Sequence, residues 1–209
     1  MYIPEHFAER RPEQLHRIIR DNPLGMLVTS TASGLDAEHI PFELDSEAGP
    51  NGRLLAHVAR ANTVWRHCAE GLPVMVVFRG ANGYISPNGY LSKHETHRQV
   101  PTWNYEVVHV HGFLRAVSDA RQLRRTLTLL TRHHEASQDT PWRMGDAPAD
   151  YLDGMLTKIV GIEIDVLRLE GKRKLSQNRE PRDRLSTLDH LRQQGRDDLV
   201  SAMRQGHES

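Results

Sequence analysis

The sequence predicts a mainly β chain with appended helices, an α+β protein built on an antiparallel barrel. Three observations carry that reading. Short apolar, β-branched runs recur at strand length along most of the 209 residues. They are not separated by the regular helices that a parallel βαβ sheet requires. Amphipathic helical patterns gather instead at the start, past the middle and at the end.

The first element is a short helix. Pro12 sits where a first turn tolerates it, Leu15, Ile18 and Ile19 fall at helical spacing, and Asp21-Asn22-Pro23 ends it. Residues 25–31 read as a buried strand and 37–44 as a second, with Pro41 marking an edge or a bulge. A turn cluster over 46–52 leads to a third strand, 53–58. Residues 61–70 read as a short helix and 73–79 as a strand. Residues 80–89 are punctuated by glycine, asparagine and proline and read as a loop. Over 107–117, Val108 and Val110 alternate with His109 and His111, as in a strand. Ser118 reads as the N-cap of a helix with Leu123, Leu127 and Leu130 on one face. A loop with Trp142 follows, then a short helix at 150–158 and a strand at 159–169. Residues 186–205 read as two helical pieces broken at Gly195.

Composition narrows the function. Lys and Arg number 27, as do Asp and Glu, so the formal charge is zero and the broad basic field of a DNA-coating protein is missing. Cys68 is the single cysteine, which excludes an internal disulfide and a cysteine zinc site within one chain. There is no secretory h-region and no run of the ~18 apolar residues that span a bilayer. The expectation is a cytoplasmic protein with no membrane contact. The 13 histidines are scattered. His94-Glu95-Thr96-His97 and His133-His134-Glu135 lack the His-Glu-x-x-His spacing, and no metal is expected. Gly-x-Ser-x-Gly, P-loop and Gly-x-Gly-x-x-Gly motifs are missing, so hydrolase, NTPase and Rossmann dehydrogenase readings have no support.

Four stretches have chemistry in them. His39-Ile40-Pro41-Phe42 closes a predicted strand. In His57-Val58-Ala59-Arg60-Ala61-Asn62 a strand runs into a predicted helix, whose free N–H groups, with Arg60 and Asn62, suit a phosphate. Read alone, Asn62 is first a helix cap and Arg60 first a solvated charge. Tyr84-Ile85-Ser86-Pro87 through Lys93 to Val100-Pro101-Thr102-Trp103-Asn104-Tyr105 reads as a loop able to lay aromatic and amide faces on a planar ligand, or as a loop pinned by core aromatics. Lys172-Arg173-Lys174-Leu175-Ser176-Gln177-Asn178-Arg179 reads as a basic turn after the last strand, suited to phosphate, nucleic acid or solvent.

Together with Met1-Tyr2-Ile3-Pro4, Phe7 and Trp65, these stretches in this order resemble the PaiB-type FMN-binding negative transcriptional regulators. The resemblance covers nearly the whole chain. It implies an antiparallel split β-barrel of FMN-binding type over residues 1–180, with residues 181–209 a helical appendage on the barrel or the dimer partner. It also implies a homodimer with FMN at the subunit interface. His57 to Asn62, notably His57, Val58, Arg60 and Asn62, would hold the phosphate, and His39 would be a further cofactor-binding residue. Thr29 and Ser30 would lie near the flavin, and Trp103, Asn104, Gln177 and Asn178 would approach from the partner. The chain departs from the family at Asn88-Gly89-Tyr90, where Trp-Tyr is frequent.

The resemblance implies a regulator that represses directly on DNA or through a regulatory protein partner, with Lys172 to Arg179 as its DNA-facing candidate. The alternative is an FMN-dependent oxidoreductase acting on a small molecule, with His39, His57, His109 or His111 available as acid or base. A haem or other tetrapyrrole is a third ligand that the histidine content allows.

Overall fold

A computed structural model describes residues 1–32, 34–67, 71–117 and 119–205. Its strands are β1 (Ala8–Glu9), β2 (Leu24–Thr31), β3 (Gly34–Pro41), β4 (Glu43–Asp45), β5 (Arg53–Ala59), β6 (Leu72–Ile85), β7 (Thr102–Val117) and β8 (Ile159–Lys174). The helices are α1 (Pro12–Asp21), α2 (Leu91–Thr96), α3 (Ala120–Glu135), α4 (Ala149–Leu156), α5 (Pro181–Gln193) and α6 (Asp197–Gln205). The strands form one sheet in the order β3-β2-β6-β7-β8-β5-β4, with β1 added to β8. The registers of β2 with β3 and β6, of β5 with β4 and β8, and of β1 with β8 are antiparallel. The path is open, with β3 and β4 at its ends, so the expected barrel is split and not closed. Pro41 ends the edge strand β3, where no ladder bond is needed from it.

Two compact units divide the chain. One comprises Pro23–Phe78 and Val110–Leu169. Its strands alternate as half-buried strands should: on β2, Gly25, Leu27 and Thr29 point inward. Phe42 and Phe78 meet edge to face at 5.9 Å. Gly25 makes room for them, since a Cβ there would lie 2.6 Å from Val76 Cγ1 and 2.9 Å from Phe78 Cε1. The sheet curls back on itself within this unit: Asn62 Nδ2, just past β5, donates to Glu38 Oε1 of β3 at 2.9 Å. Helix α3 buries Leu123, Thr126 and Leu130. Its cap is Asp119, which accepts from Arg121 N at 2.7 Å; Ser118, expected in that role, lies outside the described residues, as does Cys68. On β7, a Cβ on Gly112 would lie 2.3 Å from the Asp165 carbonyl oxygen. Backbone cannot swing away as a side chain can. Gly112→Ala is therefore expected to cost roughly 1–3 kcal/mol, read as a lowered urea midpoint; an unchanged midpoint would show that β7 and β8 can part at no cost.

The other unit comprises Met1–Asn22, Arg79–His109 and the chain from Glu170 onward. Three strand segments here run longer than the sequence predicts. β6 continues through residues 80–85, which the sequence predicts to open a loop. The glycines that suggested a loop serve close approach: a Cβ on Gly83 would lie 2.7 Å from Leu199 Cδ1. β7 begins at Thr102, so Trp103, Asn104 and Tyr105 are strand residues and not loop residues. β8 runs to Lys174, so the first third of the predicted basic turn is strand. Helices α5 and α6 bury Leu188, Leu191, Leu199, Val200 and Met203 with Ile85, Tyr90 and Leu175. Gly195 between them has φ 68°, a left-handed turn that favours glycine. Asp183 of α5 caps α2, its carboxylate accepting from Ser92 N at 2.9 Å and Ser92 Oγ at 2.6 Å. Burial opposes its ionisation, but the Ser92 bonds and the charges of Arg182 and Arg179 prevail and lower its pKa. At the family departure, Gly89 packs against the His190 ring of α5, and its carbonyl accepts from Ser186 Oγ.

Candidate functional site

The site takes shape where β5 ends. The strand residues Leu54 to Val58 pair with Ile164 to Val160 of β8. Beyond Ala59 the chain stays tied to the start of β8: Arg60 N donates to Lys158 O at 2.8 Å. The Arg60 guanidinium donates from Nε to Thr157 O at 2.6 Å and from Nη2 to Ile159 O at 2.9 Å. Arg60 is therefore held in place and still exposed, and it is not a loose surface charge. Trp65 Nε1 donates to Arg60 O at 3.2 Å, and Arg66 lies 5.7 Å from the Trp65 ring centroid.

The helix expected over 61–70 is replaced, in its described part, by a four-residue 3-10 turn, Val64–His67. Asn62 Oδ1 accepts from Val64 N at 2.9 Å, which spends a donor that a phosphate would have used. So short a turn has no helix dipole to offer. Anion recognition here falls to side chains.

A cleft of about 410 Å³ opens beside this turn. Arg60 and Trp65 line it with Val117, Leu123, Leu156 and Val160, and with Arg124 of α3 and Asp153 of α4. Arg124 Nη2 donates to Asp153 Oδ1. The wall is largely apolar, with guanidinium groups converging on it, the usual constitution of a small-molecule site. Such a cleft fits a ligand that is flat and apolar over part of its length and anionic at one end.

The predicted residues are distributed unevenly around it. Arg60 lines the cleft, and Asn62 builds the turn beside it. His57 and Val58 lie on β5 outside the lining. Burial holds the His57 imidazole below the usual histidine range, and its Nδ1 has no hydrogen-bond partner among the described residues. His39 is exposed on β3, opposite Met26. Thr29 is buried and Ser30 exposed on β2, opposite Asp36 and Leu35. The other four belong to the second unit. Trp103 is 51% exposed and stacks edge to face with Tyr84 at 6.4 Å. Asn104 is 0% exposed and donates to Ser176 Oγ at 3.0 Å, so it serves that unit's interior. Gln177 braces its own turn, accepting from Leu175 N at 2.7 Å, and Asn178 is exposed.

Arg124, Asp153 and Leu156 carry no local signal. They come from helices far along the chain, and only packing of α3 and α4 brings them to Arg60. The basic stretch also changes character: Lys172 is buried, Arg173 is 2% exposed, Lys174 Nζ donates to Thr102 Oγ1, and Arg179 Nη1 donates to Gln99 Oε1. Among the described residues, no helix is long and apolar enough to cross a membrane.

Comparison with known proteins gives the family and the fold. Residues 1–168 match the model of a family described as "Putative FMN-binding domain". The chain is 32% identical to a functionally uncharacterised protein of Emericella nidulans, over 94% of this chain and 92% of that one. It is 29% identical to the protease synthase and sporulation protein PAI 2 of Bacillus subtilis, over 91% of this chain and 89% of that one. A solved FAD and heme binding protein from Mycobacterium smegmatis shares the fold, with a TM-score of 0.60 at 15% identity over 80% of this chain and 73% of that one.

Proposed function

The chain belongs to the PaiB-type family described as "Putative FMN-binding domain", and from that premise we propose that it is a cytoplasmic, homodimeric regulator that holds flavin mononucleotide at the end of β5. The observation that carries this reading is the Arg60 cleft. Arg60 is anchored on two carbonyls, and Trp65 and an apolar wall stand beside it. Arg60 meets the phosphate charge, while Arg124 is held by Asp153 on the cleft wall. Trp65, Val117, Leu123, Leu156 and Val160 cover apolar ring surface and exclude water. When bound, FMN supplies one- and two-electron redox chemistry. The exposed Trp103, with Gln177 and Asn178, approaches the flavin in the dimer from the second subunit.

Repression acts through a protein partner and not through direct DNA contact. The stretch Lys172 to Arg179 was the best DNA-facing candidate, and its cations are buried or engaged. The test is an absorbance spectrum of the purified protein before and after adding FMN, with gel retardation on candidate promoters. The expected result is a flavin spectrum with no salt-sensitive, sequence-specific retardation by the protein alone. A colourless protein that takes up no FMN rejects the reading. Bleaching by NAD(P)H with recovery in air would replace regulation by an oxidoreductase acting on a small molecule.

A further inference from the structure

We infer that the cleft between the C-terminal half of α3 and residues 141–145 is a second ligand site, built for a small aromatic carboxylate. It has a volume of about 520 Å³, well inside the range of small-molecule sites. It shares no lining residue with the Arg60 cleft.

The loop that forms it is fixed by its backbone, which leaves side chains for a ligand. Trp142 N donates to Glu135 Oε2 at 2.9 Å, and Arg143 N donates to Asp146 Oδ2 at 2.8 Å. Thr128 Oγ1 bridges from Arg124 O at 2.8 Å to Met144 Sδ at 3.1 Å. The Trp142 ring is left 42% exposed beside the Met144 thioether and Pro141. An indole face and a sulfur are good neighbours for an aromatic ring.

Charge then sets the ligand's other end. Three arginines of this unit are committed to carboxylates: Arg53 and Arg115 to Asp165, and Arg124 to Asp153. Arg132 and Arg143 line the cleft, and neither guanidinium has an ion pair or hydrogen bond among the described residues. Against them stands only Glu135, with one oxygen already used by a backbone N–H. The lining carries one net positive charge, which calls for a monoanion. A guanidinium fork receives a carboxylate with two parallel hydrogen bonds.

The full chain, labelled with ¹⁵N, is titrated with 2-naphthoate, 2-naphthamide, acetate and a short oligo-dT, following its three tryptophan indole N–H signals. Trp142→Phe identifies the Trp142 signal. 2-Naphthoate is expected to move that signal and leave the Trp65 signal in place. It should bind at least about ten-fold tighter than the amide or acetate. Arg132→Met and Arg143→Met should each weaken it about ten-fold, one decade in Kd, with the unmoved Trp65 signal reporting an intact fold. Arg132→Lys should recover part of the loss. The inference is overturned if 2-naphthamide binds as well as 2-naphthoate, if the arginine variants bind unchanged, if the Trp142 signal stays still, or if oligo-dT binds tighter, which would make the cleft a nucleic-acid stacking platform.

Discussion

Replacing Glu106 with glutamine is expected to remove about 3–5 kcal/mol of folding stability and to lower Tm by about 10 °C. Glu106 is buried on β7 at the centre of a charge ladder. Its Oε1 accepts from Arg173 Nε at 2.7 Å and from Arg17 Nη2 at 3.2 Å. Arg173, itself buried on β8, also donates to Ala202 O at 3.2 Å and lies 3.5 Å from Glu9 Oε2, which Arg11 holds at 2.6 Å. Three guanidinium groups thus share two carboxylates. Neutralising one carboxylate leaves a buried cation short of its partner, and desolvation makes that expensive. The companion variant Glu106→Leu with Arg173→Met removes both charges and should cost less than Glu106→Gln alone. Chemical denaturation of the three proteins checks this; a double variant less stable than the single would mean that the pair contributes net attraction beyond its desolvation.

Acid should attack the same ladder. Burial opposes ionisation of Glu9, but its hydrogen bonds from Arg11 and the charge of Arg173 outweigh this and lower its pKa. A lowered carboxylate pKa means that the unfolded chain takes up protons first. The stability it contributes is full above the usual glutamate range and disappears as pH falls through its lower, folded value.

The second large effect concerns ligand choice. The wild-type protein is expected to bind FMN far more tightly than riboflavin, and Arg60→Gln should shrink that preference by about ten-fold or more, since a charge-assisted bond is worth about 1.5–3 kcal/mol. Flavin fluorescence quenching measures both affinities. Arg60 also ties itself to Thr157 O and Ile159 O, so the variant could loosen the cleft as a whole. Riboflavin separates the two cases, because loosening weakens both ligands while loss of phosphate recognition weakens FMN alone. An undiminished FMN preference in the variant would remove Arg60 from the phosphate side.

Much of the fold was readable because its signals are local. Pro12 with Leu15, Ile18 and Ile19 declares α1, the Val108 and Val110 alternation declares β7, and Gly195 declares the break between α5 and α6. The misread segments have one cause. Gly83 and the polar residues of 172–174 look like loop when judged by neighbours in sequence. Their reasons lie across space, in Leu199 and in Glu106. At the site, Arg60 was legible from its place after a strand, whereas its partners Arg124 and Asp153 were not.

By itself the amino-acid order determined the strand-rich class and the place of Arg60 after a strand, because alternation and capping act over a few residues, and the family, because its motifs keep their order along nearly the whole chain. The tertiary structure alone decided that the turn after β5 is too short for a helix dipole, that Arg173 of the basic stretch joins a buried charge ladder, and that two clefts flank α3. Those outcomes depend on which distant side chains fill the space around each residue, and no local pattern encodes that.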